Sequence, residues 1–204
     1  MSLPASHQDT LVDRFPSVQA STYLTTHQVC LVLGSNIEPE SNLPRTLALL
    51  EQLFSLLRVS RVYETPALGS PGPNFWNAAV LIQTSLHPQM LKEGVLRPLE
   101  AHLGRVRSAD KNLARTIDID IVAWDGQLID ETVWRNAHLA VPVAELLPEI
   151  KSGRQGETLQ QVADRLWATQ PIQLVEQVFH QVHWHDRRAD DPRPGVHTQH
   201  RRNS

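Results

Sequence analysis

Residues 115–122, Arg-Thr-Ile-Asp-Ile-Asp-Ile-Val, alternate between apolar and polar side chains and predict a β-strand. Because the side chains of a strand point to alternate faces, Asp118 and Asp120 share one face and the isoleucines between them point into a core. Two neighbouring carboxylates repel each other, and a divalent cation relieves that repulsion. The pair, with Arg115 just ahead of the strand, therefore predicts a platform for Mg²⁺ and a polyphosphate. The alternative is an exposed edge strand whose polar face happens to hold two aspartates.

The segments around this strand alternate between strand and helix patterns. Apolar residues spaced three and four apart predict helices over residues 39–57 and 88–103, and Pro88 suits the first turn of the second helix. Short apolar runs predict strands at residues 28–33, 58–65, 75–85 and 116–124. The order β-α-β-β-α-β predicts a ferredoxin-like sandwich of the α/β (α+β) class, with an antiparallel sheet. Both helices are expected on one face, which leaves the other face and its rim free to bind ligands.

The remainder of the chain predicts a small C-terminal appendage and two tails. The appendage is expected to hold a short strand, two short helices and a segment that fits either state, at residues 127–130, 143–147, 158–167 and 174–182. Residues 1–27 and 183–204 are rich in polar residues and predict a disordered leader and a disordered His/Arg-rich tail, because they bury too little apolar surface to offset the entropy of ordering. One domain is therefore expected over residues 28–182 of the 204-residue chain.

The composition argues against several classes of protein. A formal net charge of −3 gives no basic field for bulk nucleic-acid binding, and residues 29–33 lack the aromatic residues of an RNA-binding sheet. No segment approaches the roughly 20 apolar residues that cross a bilayer, and no secretory signal is evident. The single cysteine, Cys30, lies in an apolar run and cannot form an internal disulfide. We expect a cytoplasmic protein, a monomer or weak dimer, without nucleic-acid or membrane partners.

Three further segments hold residues that suit ligand binding. Residues 34–36, Gly-Ser-Asn, end the first strand, where glycine permits a tight turn or the close approach of a ligand, although an ordinary strand-to-helix connection is the favoured explanation of this segment on its own. A stiff Pro/Gly loop over residues 65–73 leads to Asn-Phe-Trp-Asn at residues 74–77, which suits a planar, hydrogen-bonding heterocycle, although a structural hairpin loop explains it equally well. Arg105 and Arg107 follow the second helix and suit phosphate, although basic residues at a helix end more commonly complement its dipole.

Taken in order, these motifs resemble those of the 6-hydroxymethyl-7,8-dihydropterin pyrophosphokinase family. The matching motifs are Gly-Ser-Asn at 34–36, Tyr-Glu-Thr-Pro-Ala-Leu-Gly at 63–69, Asn-Phe-Trp-Asn-Ala-Ala-Val at 74–80, Glu100, Gly-Arg-Val-Arg at 104–107, and Arg-Thr-Ile-Asp-Ile-Asp at 115–120. The resemblance is clear over about residues 29–130 and continues faintly to Trp184. It implies a folate-pathway enzyme that moves a pyrophosphoryl group from ATP to the hydroxymethyl oxygen of the pterin and releases AMP.

The resemblance also implies a role for each matching residue. Asp118 and Asp120 would hold two Mg²⁺ ions that bridge the phosphates of ATP, the co-substrate. Arg105 and Arg115 would contact phosphates and complete the catalytic set. The residues expected at the ATP site are Glu100, Arg105, Arg107, Arg115 and His138. The residues expected at the pterin site are Thr65, Pro66, Leu68, Phe75 and Asn77, with Phe75 stacking on the ring and Asn77 hydrogen-bonding to its edge.

The chain departs from the family pattern in two places. The family carries Trp-Gly-Pro ahead of the arginine, in a loop that closes over the substrates, whereas residues 112–114 are Asn-Leu-Ala. The family then carries Val-Pro-His followed by Arg and Phe. The corresponding segment here, residues 131–138, is shorter and lacks Pro-His; Arg135 could replace the family's Arg, and His138 its His or Phe. The hypotheses are therefore the full reaction on hydroxymethyl-dihydropterin, the same chemistry on a different pterin, and a non-catalytic nucleotide- or pterin-binding relative.

Overall fold

The computed structural model of the chain describes residues 25–67, 72–106, 114–152, 156–176 and 178–179. The first half holds β1 (His27–Ser35), α1 (Pro39–Leu53), β2 (Ser55–Val59), β3 (Val62–Thr65) and β4 (Phe75–Thr84). A π-helical segment (Met90–Leu96) then continues into α2 (Arg97–His102). The second half holds β5 (Asp118–Trp124), β6 (Gln127–Leu128), a 3-10 helix (Glu131–Trp134), α3 (Ala137–Leu146), α4 (Leu159–Thr169) and β7 (Gln173–Val175).

The strands form one sheet in the order β6-β5-β1-β4-β3-β7, in which β2 also pairs with β4. All of these pairings are antiparallel. Strand β1 lies at the centre because every side chain from Val29 to Leu33 is buried, as expected of a continuous apolar run. The predicted ferredoxin-like α/β class is confirmed.

Helices α1 and α2 cover one face of the sheet. Alternate residues of β1 and β4, such as Leu31 and Val80, pack beneath them. The leucines of α1 are buried at the predicted spacing, with Leu43, Leu47 and Leu50 fully inaccessible. Burying such a side chain contributes roughly 1.5–3 kcal/mol, so this layer fixes the sheet firmly against the helices.

The second face is covered over most of its length, which corrects the expectation that it would be free. Helices α3 and α4 pack there against the other alternate residues, including Cys30 and Val32 of β1 and Leu81 of β4. The predicted appendage is thus a second hydrophobic layer. At one end of the sheet the two layers leave a pocket, which His138 and Leu139 of α3 line in part.

Several element boundaries differ from the pattern-based expectation; for example, the helix predicted over residues 143–147 begins at Ala137. The helix predicted over residues 39–57 ends at Leu53, because the chain then turns into β2 and pairs with β4. Leu57 continues the helical spacing in the sequence, yet its side chain is 39% exposed in β2. The strand predicted over residues 58–65 is two strands, and Ser60 lies between them with its hydroxyl accepting from Ala79 N at 2.8 Å.

The ends of the chain add little to the sheet. Strand β1 begins at His27, the last residue of the predicted leader; most of that leader and all of the predicted tail lie outside the described residues. The ambiguous segment at residues 174–182 contributes to β7, which pairs with β3. None of the helices in the described ranges combines the length and the apolar composition needed to span a membrane.

Candidate active site

A pocket of about 230 Å³ opens at the end of the sheet where β1 finishes and β4 and β5 begin. Gly34, near the end of β1, pairs with Asn77 of β4 on one side and with Asp118 of β5 on the other. Eight of the predicted site residues line the pocket: Thr65, Pro66, Phe75, Asn77, Arg115, Asp118, Asp120 and His138. The structure therefore brings the predicted heterocycle-binding and metal-binding residues together.

Gly34 forms the floor between the two halves of the pocket. A methyl group built on it would lie 3.3 Å from Asn77 Oδ1, 3.9 Å from the Phe75 ring and 4.0 Å from Asp118 Cβ. The first of these distances is tighter than an ordinary van der Waals contact. Glycine at this position therefore leaves open a space that a side chain would fill beside Asn77.

A network of ion pairs surrounds Asp118 at the β5 side of the pocket. Asp118 accepts hydrogen bonds from both Arg105 and Arg115. Arg105 also donates to Glu100, which is 3% exposed and accepts from Ile119 N at 2.9 Å. Burial alone would lower the pKa of Arg105, but the hydrogen bond and charge of Asp118 and the charge of Glu100 raise it above its usual value. Arg105 is therefore a permanent cation at this end of the pocket.

Asp120, the second aspartate, lies on the pocket wall two residues further along β5. Its partial removal from water and the charge of Asp118 raise its pKa, while Lys92 and Arg105 act in the opposite direction. Within the described ranges, no third His, Cys, Asp or Glu joins the pair to make a complete metal cage. The predicted pair of carboxylates on one face is present, and the charge of Asp118 disfavours the ionised form of Asp120, an effect that a nearby cation would oppose.

Asn77 is fixed at the opposite side of the pocket. Its amide is 4% exposed, and its Nδ2 donates to Thr65 Oγ1 at 3.1 Å and to Phe75 O at 3.3 Å. These bonds to β3 and β4 hold the side chain in one orientation at the pocket wall. Phe75 and Pro66 supply apolar surface beside it, so this half combines a fixed amide with flat apolar walls, as a planar heterocycle requires.

His138 reaches the pocket from the first turn of α3. Burial lowers its pKa, and the charge of Asp130 opposes that effect only in part. The imidazole is therefore neutral near pH 7. Arg135, the other proposed replacement, is exposed and does not line the pocket.

Some lining residues were not anticipated from the sequence, and two predicted residues cannot be located. Val32, Ala67 and Leu139 complete the apolar walls. Strand alternation places Val32 on the face of Gly34 and could have identified it, and Leu139 directly follows the predicted site residue His138 in α3. Leu68 and Arg107 lie outside the described residues.

Comparison with protein families gives a match over residues 30–148 to the model for 7,8-dihydro-6-hydroxymethylpterin-pyrophosphokinase. A 2-amino-4-hydroxy-6-hydroxymethyldihydropteridine pyrophosphokinase of Synechocystis is 29% identical over 163 residues, which is 74% of this chain and 76% of that protein. The enzyme of the same name from Helicobacter pylori is 29% identical over 135 residues, covering 63% of this chain and 78% of that protein. The folic acid synthesis protein fol1 of Pneumocystis carinii is 34% identical over 119 residues, which is 55% of this chain and 15% of that protein.

Solved structures with the same fold include Plasmodium falciparum HPPK-DHPS. The triple mutant bound to pteroate superposes with a TM-score of 0.56 at 12% sequence identity, and the match covers 72% of this chain. The chain spans less than half of that solved chain, because the match covers 42% of it. This likeness confirms the fold over most of the chain.

Proposed function

Since the chain belongs to the 7,8-dihydro-6-hydroxymethylpterin-pyrophosphokinase family, we propose that the pocket at the end of its sheet is the active site for the reaction of that family. The chain is a pyrophosphokinase that transfers pyrophosphate from ATP to the hydroxymethyl group of 6-hydroxymethyl-7,8-dihydropterin, in folate synthesis. The observation that best supports this site is the position of Asn77 and Asp118 on either side of Gly34. This arrangement places the Asn77 amide, which suits a heterocycle, close to the Asp118 carboxylate, which suits a metal ion.

The pterin is proposed to bind at the side of the pocket that Asn77 defines. Since Asn77 Nδ2 is held by Thr65 and the backbone, its Oδ1 is oriented to accept from an N–H on the edge of the ring. Phe75 and Pro66 offer flat surface for the ring face. With the ring there, its hydroxymethyl group is proposed to point towards Asp118 and Asp120, beside which the phosphates of ATP would lie. Leu68 is proposed to complete this side.

The two aspartates fit Mg²⁺. They lie on one face of β5, the pKa of Asp120 is raised in part by the charge of Asp118, and a cation between or beside them removes that repulsion. Mg²⁺ characteristically takes one or two carboxylates and completes its shell with waters and substrate phosphates, so the lack of a third ligand among the described residues suits it. The number of ions, two, is proposed from the family resemblance alone. Bound Mg²⁺ would neutralise phosphate charge during the transfer.

The arginines at the phosphate end are proposed to hold ATP in line with its acceptor. A guanidinium carries five N–H donors, so Arg105 and Arg115 can keep their contacts to Asp118 and still donate to phosphate oxygens. Glu100 holds Arg105 from behind, and Arg107 and His138 are proposed to add contacts to the nucleotide. The hydroxymethyl oxygen bonds to the β-phosphorus, the bond from that phosphorus to the α-phosphate oxygen breaks, and AMP leaves carrying the charge that Arg105 and Arg115 stabilise.

Formation of AMP by the full chain tests this assignment. With ATP, Mg²⁺ and 6-hydroxymethyl-7,8-dihydropterin, AMP should appear only when all three are present. Asp118→Ala and Asp120→Ala should each lower turnover by about a hundredfold or more, because metal ligation contributes several kcal/mol to such a transfer. Asp164→Ala, an exposed aspartate on α4 that contacts Gln160, is the matched control and should keep full turnover.

The outcomes separate the proposed reaction from its alternatives. Turnover of another pterin in place of hydroxymethyl-dihydropterin would identify different acceptor specificity, a hypothesis that the changed residues 112–114 motivate. Calorimetric binding of Mg·ATP without turnover of any pterin would identify a non-catalytic relative. Equal turnover by wild type and Asp118→Ala would contradict the proposed site itself.

The remaining proposals concern the setting of the protein. The thiol of Cys30 is fully buried, and burial raises its pKa to about 12, so it is inert and suits a reducing, cytoplasmic location. The catalytic domain is proposed to span residues 28–182, between a leader at 1–27 and a tail at 183–204. ATP and the pterin are the proposed partners of a monomer or weak dimer.

A further inference from the structure

We infer that Asn36 is a positioning residue that ties the phosphate end of the pocket to its pterin end; this inference rests on the proposed function. Asn36 follows β1 and is 5% exposed. Its Oδ1 accepts a hydrogen bond from Arg115 N at 2.6 Å, and its Nδ2 donates to Pro73 O at 3.2 Å. One side chain thus joins the segment ahead of β5 to the segment ahead of β4.

The backbone of the same turn strengthens the first of these connections. Asn36 N and Ile37 N both donate to Arg115 O, at 3.1 and 3.2 Å. Ser35 is fully buried, and its hydroxyl donates to Thr116 O at 2.6 Å. Arg115 and Thr116 lie just ahead of β5, so these bonds from the turn after β1 fix where the two residues lie.

The residues at both ends of the Asn36 bridge belong to the proposed site. Arg115 contacts Asp118 through its guanidinium, so the position of its backbone sets how that guanidinium meets a phosphate. Pro73 precedes Phe75 by two residues and lies where the Pro/Gly loop enters β4. A shift of this entry would move Phe75 relative to the amide of Asn77.

A purely structural role for Asn36 in starting α1 does not account for these contacts. Asparagine just before a helix commonly caps it, but the helix start at Glu38 has no side-chain cap. Asn36 instead directs both ends of its amide to the two loops. Asn42, inside α1, is the buried asparagine that serves this turn structurally, since its Nδ2 donates to Ile37 O at 2.7 Å.

Two variants separate the two ends of the bridge. Asn36→Ala removes both hydrogen bonds. Asn36→Asp keeps an oxygen that accepts from Arg115 N. It has no N–H to donate to Pro73 O, so it breaks only the hydrogen bond to the Pro/Gly loop. Asn42→Ala is the matched control, because it also deletes a buried amide from this turn without touching either loop.

The test measures affinities by calorimetry, for a non-hydrolysable ATP analogue with Mg²⁺ and for the pterin in its presence, together with KM, kcat and the melting temperature. Asn36→Ala should weaken both affinities about tenfold, the effect of a lost hydrogen bond at a fixed group. Asn36→Asp should weaken pterin binding similarly and nucleotide binding less. Asn42→Ala should lower the melting temperature and leave both KM values unchanged, because loss of folded protein reduces the active fraction and not KM.

Several results would overturn the inference. Affinities of Asn36→Ala equal to those of wild type would do so while AMP formation by wild type left the proposed function intact. Equal rises in KM for Asn42→Ala and Asn36→Ala would show that Asn36 acts on the site only through the stability of the turn. A wild-type protein that bound neither ligand would remove the proposed function and this inference together.

Discussion

Arg105 forms a largely buried ion pair with Asp118, the residue at which metal binding is proposed; the two side chains are 13% and 16% exposed. A cation can reach the Asp118 carboxylate only by sharing or displacing the guanidinium, because Arg115 already contacts the second oxygen. Nucleotide phosphates would give Arg105 and Arg115 new anionic partners in place of the Asp118 carboxylate. Metal and nucleotide should therefore bind more tightly together than either does alone.

Arg105→Gln should change metal and nucleotide affinity in opposite directions. Removal of the cation frees one Asp118 oxygen, so Mn²⁺ should bind the nucleotide-free protein several-fold more tightly, whereas the ATP analogue should bind more weakly. Electron paramagnetic resonance of Mn²⁺ measures the first effect and calorimetry the second. Arg97→Gln removes an exposed ion pair between Arg97 of α2 and Glu93 of the preceding π-helical segment; it is the control and should change neither affinity. Weaker Mn²⁺ binding by Arg105→Gln would contradict the competition.

Gly34→Ala should narrow the pocket without unfolding the sheet. The added methyl group would lie 3.3 Å from Asn77 Oδ1, which has to shift from the orientation that Thr65 and the backbone give it. Overpacking of this kind costs about 1–3 kcal/mol, so pterin affinity should fall about tenfold or more. Gly72→Ala is the control, because its methyl group would meet only Ala67 at 3.8 Å. An unchanged pterin affinity in Gly34→Ala would show that the ring does not lie against Asn77.

The sequence predicts which side chains of one strand share a face of the sheet. It does not predict the contacts between segments that are far apart in the chain. Alternation along residues 115–122 is sufficient to place Asp118 and Asp120 on one face, because strand geometry is local. The layer of α3 and α4 over the second face is not local: Leu139 enters the pocket through packing against strands more than fifty residues away in the chain. The role of Asn36 depends on Arg115 and Pro73, so its neighbours in sequence suggest only a turn or a helix start.

The half-buried imidazole of His138 should make stability depend on pH below neutrality. Its pKa is lowered in the folded protein, so the unfolded chain binds the proton more readily as the pH falls through about 6.5. The unfolding free energy is then unaffected at pH 8 and decreases as the pH falls from about 7 towards the folded pKa, by up to about 1.4 kcal/mol for each pH unit between the unfolded and the folded pKa. His138→Phe should remove this part of the dependence. Urea unfolding of both proteins at pH 8, 6 and 5 measures it, and parallel curves would show that His138 is not protected from protonation.

Variants of Glu100 and Glu145 should distinguish an effect on nucleotide affinity from an effect on the stability of the fold. Glu100 holds Arg105 and accepts from Ile119 N, so Glu100→Gln keeps an acceptor for that amide and weakens only the hold on the guanidinium. Glu145 lies on α3 and accepts from Tyr63 and from Arg61 N at 2.8 Å; burial and the charge of Glu145 raise the pKa of Tyr63. Glu145 thus ties α3 to β3 away from the pocket.

Glu100→Gln should therefore weaken nucleotide affinity several-fold, because an uncharged amide holds a guanidinium less tightly than a carboxylate does. Glu145→Gln should leave that affinity unchanged and lower the unfolding free energy by about 1–3 kcal/mol, because a hydrogen bond to a charged group is replaced by a weaker neutral one. Calorimetry with the ATP analogue and urea unfolding provide the two measurements on each variant. Nucleotide affinity lost equally in both variants would mean that general loosening of the fold, and not the orientation of Arg105, governs binding at this end of the sheet.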